Sequence, residues 1–343
     1  MYHIEKEIEN QFGSIKKTVD YIYERRNEIS SFFSGETKIR FVGSGSSYYV
    51  AQSAATIFRL NNAGFDTFFV AAGDFIQNFN KYRNTFEGSI VVFLTRSGST
   101  SEVINSILLL KDTKCKKVAV CAKKDAETAV FCDLNLEIEW AFDKSVCQTQ
   151  TVSNLYSACL AMSAVINGDD SIIEDLRSLE SHKDGFSAKY ETALKEIGES
   201  ESWDSAVTLA DCECAGLFTE AALAFLEICQ NKSSFYHVLD VRHGPIVMVD
   251  DKTLVILLAA GDDRLYKDLV RDLKGKGAFC ITAGMFAEGL GGDMHIELPR
   301  LSNLSVSAVF ALYAIHIITF SKAISKGVNP DGPEGLDPWI ELK

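Results

Sequence analysis

The stretch Ser89-Ile90-Val91-Val92-Phe93-Leu94, followed by Thr95-Arg96-Ser97-Gly98-Ser99-Thr100, decides the fold of this chain. Its first part is a continuous apolar run of strand length, as expected of a central parallel strand that is buried on both faces. Its second part is small and rich in hydroxyl groups, and Val103, Ile107 and Leu110 then recur at helical spacing. Strand, polar turn and helix in this order are typical of an α/β protein with a parallel sheet.

A similar unit precedes this stretch, and another strand follows it. Residues 38–42 form a short apolar strand, Gly43-Ser44-Gly45-Ser46-Ser47 interrupts it, and a helical pattern starts near Val50. Residues 117–122 supply a further apolar strand. The charged residues 1–34 carry apolar positions at spacings of three and four, which predicts an N-terminal amphipathic helix or helix pair.

The second half of the chain repeats this order. Its predicted strands are 206–210, 253–259 and 278–282, and its predicted helix is 219–229. Where the first half has the hydroxyl-rich turn, the second half has Gly261-Asp262-Asp263-Arg264. Only the first copy therefore keeps the hydroxyl groups.

Composition excludes several classes of protein. The chain has 343 residues, and 34 Lys+Arg against 47 Asp+Glu give a formal net charge of −13. This charge opposes nucleic acid and anionic membrane as partners, because binders of polyanions need a basic face. Hydrophobic residues make up 47% of the chain, which is too much for disorder. The length suggests about two domains.

The sequence also predicts a cytoplasmic protein. The nine cysteines are odd in number and several lie in apolar runs, which indicates reduced, buried thiols. Cys212-Glu213-Cys214 is the only close pair, and without a second pair or a nearby histidine it lacks the pattern of a zinc site. Residues 1–7 show no signal peptide. The apolar stretch 304–320 contains several polar residues, which favours a buried helix over a membrane span.

The hydroxyl-rich turn is the clearest candidate binding site. The carboxyl ends of parallel strands face a crevice where anions meet the free N–H groups of helix N-termini. Thr95, Ser97, Ser99 and Thr100 add hydroxyl donors, so the turn predicts phosphate or carboxylate binding. Ser99 and Glu102 also match a capping box, with Ser99 as N-cap, so a well-capped helix is the simpler reading.

The glycine-serine turn after residues 38–42 is expected to face the same crevice. It does not match a dinucleotide fingerprint, because Tyr48 stands at the place of the third glycine. It also has no Walker lysine, which argues against hydrolysis of a nucleoside triphosphate.

Glu227 and His243 form a second candidate group. Glu227 follows apolar residues on the predicted helix, and partial burial makes a carboxylate a stronger general base. His243 lies in Arg242-His243-Gly244-Pro245, and a Gly-Pro turn is typical of a loop presented to a site. Taken alone, a helical Glu is more often a solvated surface residue and a single His is more often structural.

These motifs together resemble the double sugar-isomerase (SIS) domain family. The resemblance rests on Gly43–Ser47, Thr95–Glu102, Glu227, Arg242–Pro245 and Gly327-Val328-Asn329-Pro330-Asp331, and it spans about residues 35–343. Within that superfamily the chain resembles the isomerase half of glucosamine-6-phosphate synthase. Arg242–Pro245, followed by Val249–Val255, also resembles the galactosamine-6-phosphate deaminase/isomerase (AgaS-like) group. Fructosamine-6-phosphate deglycases are the other close relatives.

The resemblance implies an α/β fold of two SIS domains, each a flavodoxin-like parallel sheet flanked by helices. The expected bounds are 1–34 for an N-terminal helical segment, 35–170 for a first, phosphate-binding SIS domain, 171–202 for a connecting helical segment, 203–325 for a second SIS domain with the catalytic Glu and His, and 326–343 for a C-terminal tail. The charged and polar stretch 167–202 supports this place for the connection.

The resemblance also implies roles for individual residues. The side chains matching those that hold the sugar phosphate are Ser47, Thr95, Ser97 and Thr100, with Ser46 and Arg96 on the same loops. The segment matching a sugar contact contains Val146, Gln148 and Thr149, although Gln148 stands where a serine is common. Glu227 matches the base that moves a proton between C1 and C2. His243 matches the ring-opening histidine, which the neighbouring subunit supplies in the family, so a homodimer is implied.

Three positions depart from the family pattern. Ala224 stands where relatives that act on cyclic amino sugars commonly have a lysine, three residues before the glutamate. Pro338 aligns with the C-terminal lysine of the synthase type. Both absences weaken a synthase-like mechanism and leave Glu227 and His243 as the acid–base pair. Tyr2 replaces the cysteine nucleophile of a glutaminase domain, so ammonia from glutamine is not expected.

The resemblance thus implies a homodimeric phosphosugar aldose–ketose isomerase/deaminase that acts on an amino-sugar 6-phosphate, and the cysteine usage adds the expectation that it is cytoplasmic. No metal or redox cofactor is expected, because conjugation to an imine or carbonyl already acidifies the transferred proton. One alternative is a fructosamine-6-phosphate deglycase, which would use the same pair. Another is a non-catalytic regulator that binds a sugar phosphate, but the sequence shows neither a helix-turn-helix module nor a basic patch.

Overall fold

The computed structural model describes residues 1–61, 64–261 and 263–337, and they form two compact units. The N-terminal unit contains Glu9–Lys144 and Gln148–Glu180. The C-terminal unit contains Met1–Ile8, Ser145–Cys147 and Ser181–Leu336. Each unit has its own five-stranded sheet. The domain bounds expected from the sequence remain a prediction.

The helices and strands alternate along the chain as an α/β fold requires. The first half runs α1 (His3–Glu24), α2 (Arg26–Phe33), β1 (Lys38–Gly43), α3 (Ser46–Asn61), β2 (Asp66–Ala71), α4 (Ala72–Gln77), α5 (Phe79–Phe86), β3 (Ile90–Thr95), α6 (Ser101–Leu109), β4 (Lys116–Cys121), α7 (Thr128–Phe131), β5 (Leu134–Glu137) and α8 (Gln150–Asn167). After α9 (Asp170–Glu199) come β6 (Ser205–Leu209), α10 (Ala215–Glu227), β7 (Lys232–Tyr236), β8 (Thr253–Leu258), α11 (Arg264–Gly275), β9 (Phe279–Gly284), β10 (Met294–Glu297) and α12 (Leu304–Ser325).

The two sheets have the same strand order. The first is β2-β1-β3-β4-β5 and the second is β10-β9-β8-β6-β7, and the pairing is parallel throughout both. Each is the flavodoxin-like order, in which the chain changes direction across the sheet between its first and third strands. The predicted α/β fold with two flavodoxin-like parallel sheets flanked by helices is therefore confirmed.

The predicted strands are the central ones, because their runs are apolar on both faces. Every residue of β3 and of β8 is buried. The edge strands β2, β5, β7 and β10 were not predicted. Each pairs with another strand along one edge only and has mixed exposure. Strands β5, β7 and β10 have no continuous apolar run, whereas β2 has one at Phe68–Ala71 that the sequence-based prediction missed. The helix predicted at 219–229 begins earlier, at Ala215, and ends at Glu227.

The charged stretch between the two halves is mostly one helix. Helix α9 is 30 residues long and takes up most of residues 167–202. The two units divide within it, between Glu180 and Ser181. Its N-terminal part therefore packs in one unit and its C-terminal part in the other.

Helix α12 is the core helix of the C-terminal unit. It is the one described helix that is long and apolar enough to cross a membrane, and 89% of its most apolar window is buried within the protein. This burial confirms the buried helix that the sequence predicts at 304–320. Its side chains include His316, which is 0% exposed.

Candidate functional site

The hydroxyl-rich turn after β3 holds itself in shape. The N–H of Gly98 donates to Thr95 Oγ1 at 3.1 Å, and the N–H of Ser99 donates to Ser97 Oγ at 3.2 Å. Gly98 has φ = 62°, and a Cβ there would lie 2.4 Å from Ala126 Cβ. Only glycine satisfies both the dihedral angle and the packing. The backbone of the turn therefore packs directly against Ala126.

The N-terminus of α6 is not closed by its own cap. Ser99 was predicted as the N-cap of a capping box, and this prediction was wrong: the N-cap is Thr100, whose side chain makes no capping hydrogen bond. Thr100 Oγ1 lies 3.3 Å from Ser97 Oγ instead. The positive end of the helix dipole therefore stays open to an external anion.

The equivalent helix of the second sheet is closed. Asp263 is the N-cap of α11, and its Oδ1 accepts the N–H groups of Leu265 at 2.7 Å and Tyr266 at 3.2 Å. A carboxylate already occupies the place that an anionic ligand would take. Among the described residues, the turn at Gly261–Arg264 therefore replaces the hydroxyl groups by a carboxylate that already caps its helix. Asp262 lies outside the described residues.

The glycine-serine turn after β1 reaches the same place from the neighbouring strand. Gly45 has φ = 54°, and α3 begins at Ser46. A Cβ on Gly43 would lie 2.6 Å from the carbonyl oxygen of Ser47, so strand and helix approach closely here. Strands β1 and β3 are neighbours in the sheet, and the crevice between them is where flavodoxin-like sheets bind ligands.

A small polar cavity lies at this crevice. Its lining residues are Ser44, Ser47, Leu94, Thr95, Arg96, Ser97, Thr100, Val103 and Gln148. Its volume of about 40 Å³ is room for roughly three water molecules, which fits a phosphate group and not a whole sugar. Arg96 is the one charged residue of this lining and is 6% exposed. A buried arginine beside hydroxyl groups suits a site for an oxyanion.

Two polar atoms of this cavity have no partner. Ser44 Oγ and Gln148 Oε1 are buried and make no hydrogen bond in the described structure. A buried polar atom without a partner is costly. The Ser44 hydroxyl can donate to an oxyanion in the cavity, and the Gln148 amide can donate to it only if its nitrogen turns to face it. Ser44 was quoted in the sequence motif but not assigned to the site. Its position at the end of a central strand is the signal that could have identified it.

Three other predicted residues do not line this cavity. Ser46 is buried in the first turn of α3. Thr149 is the N-cap of α8, is 0% exposed, and donates its N–H to Asp143 Oδ2 at 2.9 Å. Val146 belongs to the C-terminal unit. The structure therefore brings together Ser47, Thr95, Arg96, Ser97, Thr100 and Gln148 of the predicted set.

Glu227 lies half-buried at the end of α10 in the C-terminal unit. The turn that follows it is held by Lys326, whose Nζ donates to the carbonyls of Cys229 at 2.7 Å and Gln230 at 3.1 Å. It also donates to Asn231 Oδ1 at 2.7 Å. Ala224 is 2% exposed and packs in the core. Pro338 lies outside the described residues.

His243 is exposed on a loop of the C-terminal unit. Its backbone N–H donates to the Asp240 carbonyl at 2.9 Å, and Gly244 follows with φ = 129°. The preceding Arg242 is fixed by Asp272, with N···O distances of 3.0 and 2.7 Å. The backbone of the loop is therefore held in place by Arg242 and Asp272, and the His243 side chain is exposed.

No group of three or more His, Cys, Asp or Glu side chains suited to a metal ion is found among the described residues. All nine cysteines are free, and Cys212 of the Cys212–Cys214 pair is exposed.

Comparison with known proteins finds similarity to one family model and to several curated proteins. Residues 32–166 match the family model described as the SIS domain. The isomerizing glutamine–fructose-6-phosphate aminotransferase of Sulfurisphaera tokodaii is 22% identical over 347 residues, which cover 98% of this chain and 56% of that protein. The chain thus spans just over half the length of this curated relative.

Solved structures share the fold along nearly the whole chain. Glucosamine-6-phosphate deaminase from Thermotoga maritima is 25% identical with a TM-score of 0.76, and the match covers 95% of this chain and 100% of that one. Tagatose-6-phosphate ketose/aldose isomerase from Escherichia coli is 19% identical with a TM-score of 0.81, covering 99% and 96%. These matches agree with the α/β fold. Membership of the AgaS-like group remains a prediction.

Proposed function

We propose that this protein converts an amino-sugar 6-phosphate to a ketose phosphate with loss of the amine. Its match to the SIS domain model and its similarity to phosphosugar isomerases support this proposal. The observation that carries this proposal is the phosphate-sized cavity at the β1/β3 crevice, with its hydroxyl groups, Arg96 and two unpartnered polar atoms. We further propose that the C-terminal unit, whose sheet repeats the strand order, is a second SIS domain and that the protein is cytoplasmic.

In this proposal the N-terminal unit holds the phosphate. Ser47, Thr95, Ser97 and Thr100 donate hydrogen bonds to its oxygens, and Arg96 and the open N-terminus of α6 balance its charge. Ser46 supports the same loop from the first turn of α3. Val146, Gln148 and Thr149 belong to the segment that contacts the sugar, and the Gln148 amide can turn its oxygen or its nitrogen to a hydroxyl group.

The chemistry is assigned to Glu227 and His243. His243 transfers a proton to the ring oxygen as the C1–O bond breaks, and the anomeric hydroxyl releases its proton to solvent, which leaves an aldehyde at C1. Glu227 removes the proton from C2 while the C1 oxygen takes up a proton from solvent, and the resulting enolamine receives a proton from Glu227 at C1 to give an imine at C2. Water adds to this imine and ammonia leaves, so the products are a ketose phosphate and ammonia. No step requires a metal or redox cofactor.

A homodimer is part of this proposal. The loop that carries His243 also exposes apolar side chains: Leu239 is 38% exposed, Val247 75% and Met248 79%. Large apolar side chains clustered on one exposed loop are typical of a surface that is covered by a partner. A second copy of the chain would bury them and bring its His243 to the site of its neighbour.

The first test is a product assay on glucosamine 6-phosphate, galactosamine 6-phosphate and fructosamine 6-phosphates, measuring ammonia, amino acid and ketose phosphate. Ammonia released together with ketose phosphate supports the proposal. Release of an amino acid instead would assign the deglycase reaction.

Glu227→Gln should lower kcat by about 10² or more with little change in KM, because only the proton transfer is lost. Full activity of this variant would refute the assignment.

A mixing experiment tests the shared site. Glu227→Gln and His243→Ala proteins are each expected to be inactive. Unfolding and refolding them together should restore about a quarter of wild-type activity, because half of the dimers would be mixed and one of their two sites would combine an intact Glu227 with an intact His243. If both residues acted within one subunit, no activity would return.

A further inference from the structure

Asp331 joins three separate segments of the C-terminal unit. Its Oδ2 accepts the N–H of His3 and its Oδ1 accepts the N–H of Ile4, both at 2.9 Å. Its backbone carbonyl accepts the N–H of Val146, also at 2.9 Å. The Asp331 N–H in turn donates to Asn329 Oδ1 at 3.2 Å. One residue near the end of the chain therefore connects the start of α1 to the middle of the sequence.

A second contact closes the same assembly. Ser145 donates its N–H to Glu7 Oε1 at 3.3 Å, and its hydroxyl lies against Glu7 Oε2 and, at 2.9 Å, the carbonyl of Cys147. Glu7 is on α1 and is 6% exposed, and Ser145 is 1% exposed. Residues Ser145–Cys147, here called the strap, are thus held by α1 on one side and by Asp331 on the other.

These contacts explain an irregularity in the division of the chain. Met1–Ile8 and the strap pack with the C-terminal unit, although the residues that flank them in sequence pack with the N-terminal unit. The carboxylate of Asp331 also caps the free N–H groups at the positive end of α1, where a negative charge is stabilising. Asp331 therefore holds the start of α1 with its carboxylate and the strap with its backbone carbonyl.

We propose that Asp331 is a positioning residue, which fixes Val146 for contact with the sugar by tying the strap to the start of α1. This inference rests on the proposed function, in which Val146 contacts the sugar. Asp331 itself does not touch the substrate in this proposal. Its effect passes through the Val146 N–H, so it acts on the sugar part of the ligand and not on the phosphate part.

The first arm of the test does not depend on activity. Amide hydrogen exchange is compared for wild type, Asp331→Ala, Asp331→Asn and Glu334→Ala, which removes an exposed carboxylate from the same loop. We expect exchange about tenfold faster in Asp331→Ala, both in residues 3–8 and in the strap. The helix end loses its carboxylate, and the backbone carbonyl of residue 331, which the substitution keeps, is no longer held against α1. Asp331→Asn keeps one acceptor and should restore part of the protection, and Glu334→Ala should match wild type. Faster exchange in residues 3–8 with an unchanged strap would overturn the proposal.

The second arm separates sugar from phosphate. Asp331→Ala should raise KM for the sugar phosphate about tenfold, while the inhibition constant of inorganic phosphate stays within about twofold of wild type. An equal loss for both ligands would mean general unfolding of the site and would refute positioning. If Asp331→Ala does not fold, Asp331→Asn carries both arms with a smaller expected effect. If wild type itself turns over no phosphosugar but the strap loosens as expected, the proposed function fails while the tie between Asp331 and the strap stands.

Discussion

Acid should destabilise the C-terminal unit through one buried side chain, His316. The imidazole is 0% exposed in α12, and neither ring nitrogen has a hydrogen-bond partner in the described structure. Burial lowers the pKa of His316 from 6.5 to about 3. The folded protein therefore keeps this side chain neutral over a pH range in which the unfolded chain takes up a proton.

The sign and size of the effect follow from this difference. The folded pKa lies below the unfolded value, so the stability is fully present above pH 6.5 and is lost as pH falls toward 3. With these two pKa values the loss is about 2 kcal/mol between pH 8 and pH 5, and about 3 kcal/mol at pH 4. His316→Leu removes the titrating group and should abolish this part of the pH dependence. At pH 8 it should be neutral or stabilising by about 1 kcal/mol, because it replaces an unpartnered polar group by an apolar one.

The assay is urea unfolding of wild type and His316→Leu at a series of pH values between 8 and 4, followed by tryptophan fluorescence. His182→Leu is the matched control, because it removes an exposed histidine of the same unit and should keep the wild-type slope. Parallel loss of stability in wild type and His316→Leu would refute the reasoning. A His316→Leu protein that is much less stable at pH 8 would show instead that the imidazole has a stabilising partner.

Three further changes test the geometry of the candidate site. Ser44→Ala should leave stability unchanged or raise it by up to about 1 kcal/mol, because an unpartnered buried hydroxyl is removed, and should weaken binding of inorganic phosphate about fivefold in calorimetry; unchanged affinity would remove Ser44 from the site. Gly98→Ala should cost about 2–4 kcal/mol in urea unfolding, because of the positive φ and the clash with Ala126, and a cost below about 1 kcal/mol would contradict the packing. Lys326→Met should cost about 1–3 kcal/mol and lower kcat, because three acceptors after Glu227 lose their donor; Lys276→Met, at an exposed lysine, is its control, and equal effects would refute a specific role.

Several features of the fold could be predicted because they depend on local pattern. The apolar runs that became β3 and β8 are buried on both faces, so their burial is visible in the sequence itself. The edge strands β7 and β10 were not predicted, because their residues are only partly buried and carry no apolar run. Only their pairing with a neighbouring strand identifies them as strands. The capping box at Ser99 was predicted wrongly for a related reason. Ser99 has a side chain suited to capping, but the helix begins one residue later, so Thr100 is the N-cap. The Thr100 hydroxyl contacts Ser97 and makes no capping hydrogen bond.

The sequence by itself determined the α/β class, the repeated order of the two halves and the turns that carry hydroxyl groups, since strand periodicity and turn chemistry act over a few residues. Only the tertiary structure decided that Ser44 and Gln148 face one cavity, that Asp263 closes the second helix N-terminus, and that Asp331 holds residues more than three hundred positions away. The physical reason is that a hydrogen bond depends on distance in space. Parallel strands bring distant loops to one edge of a sheet, and no pattern along the chain records which partners they meet there.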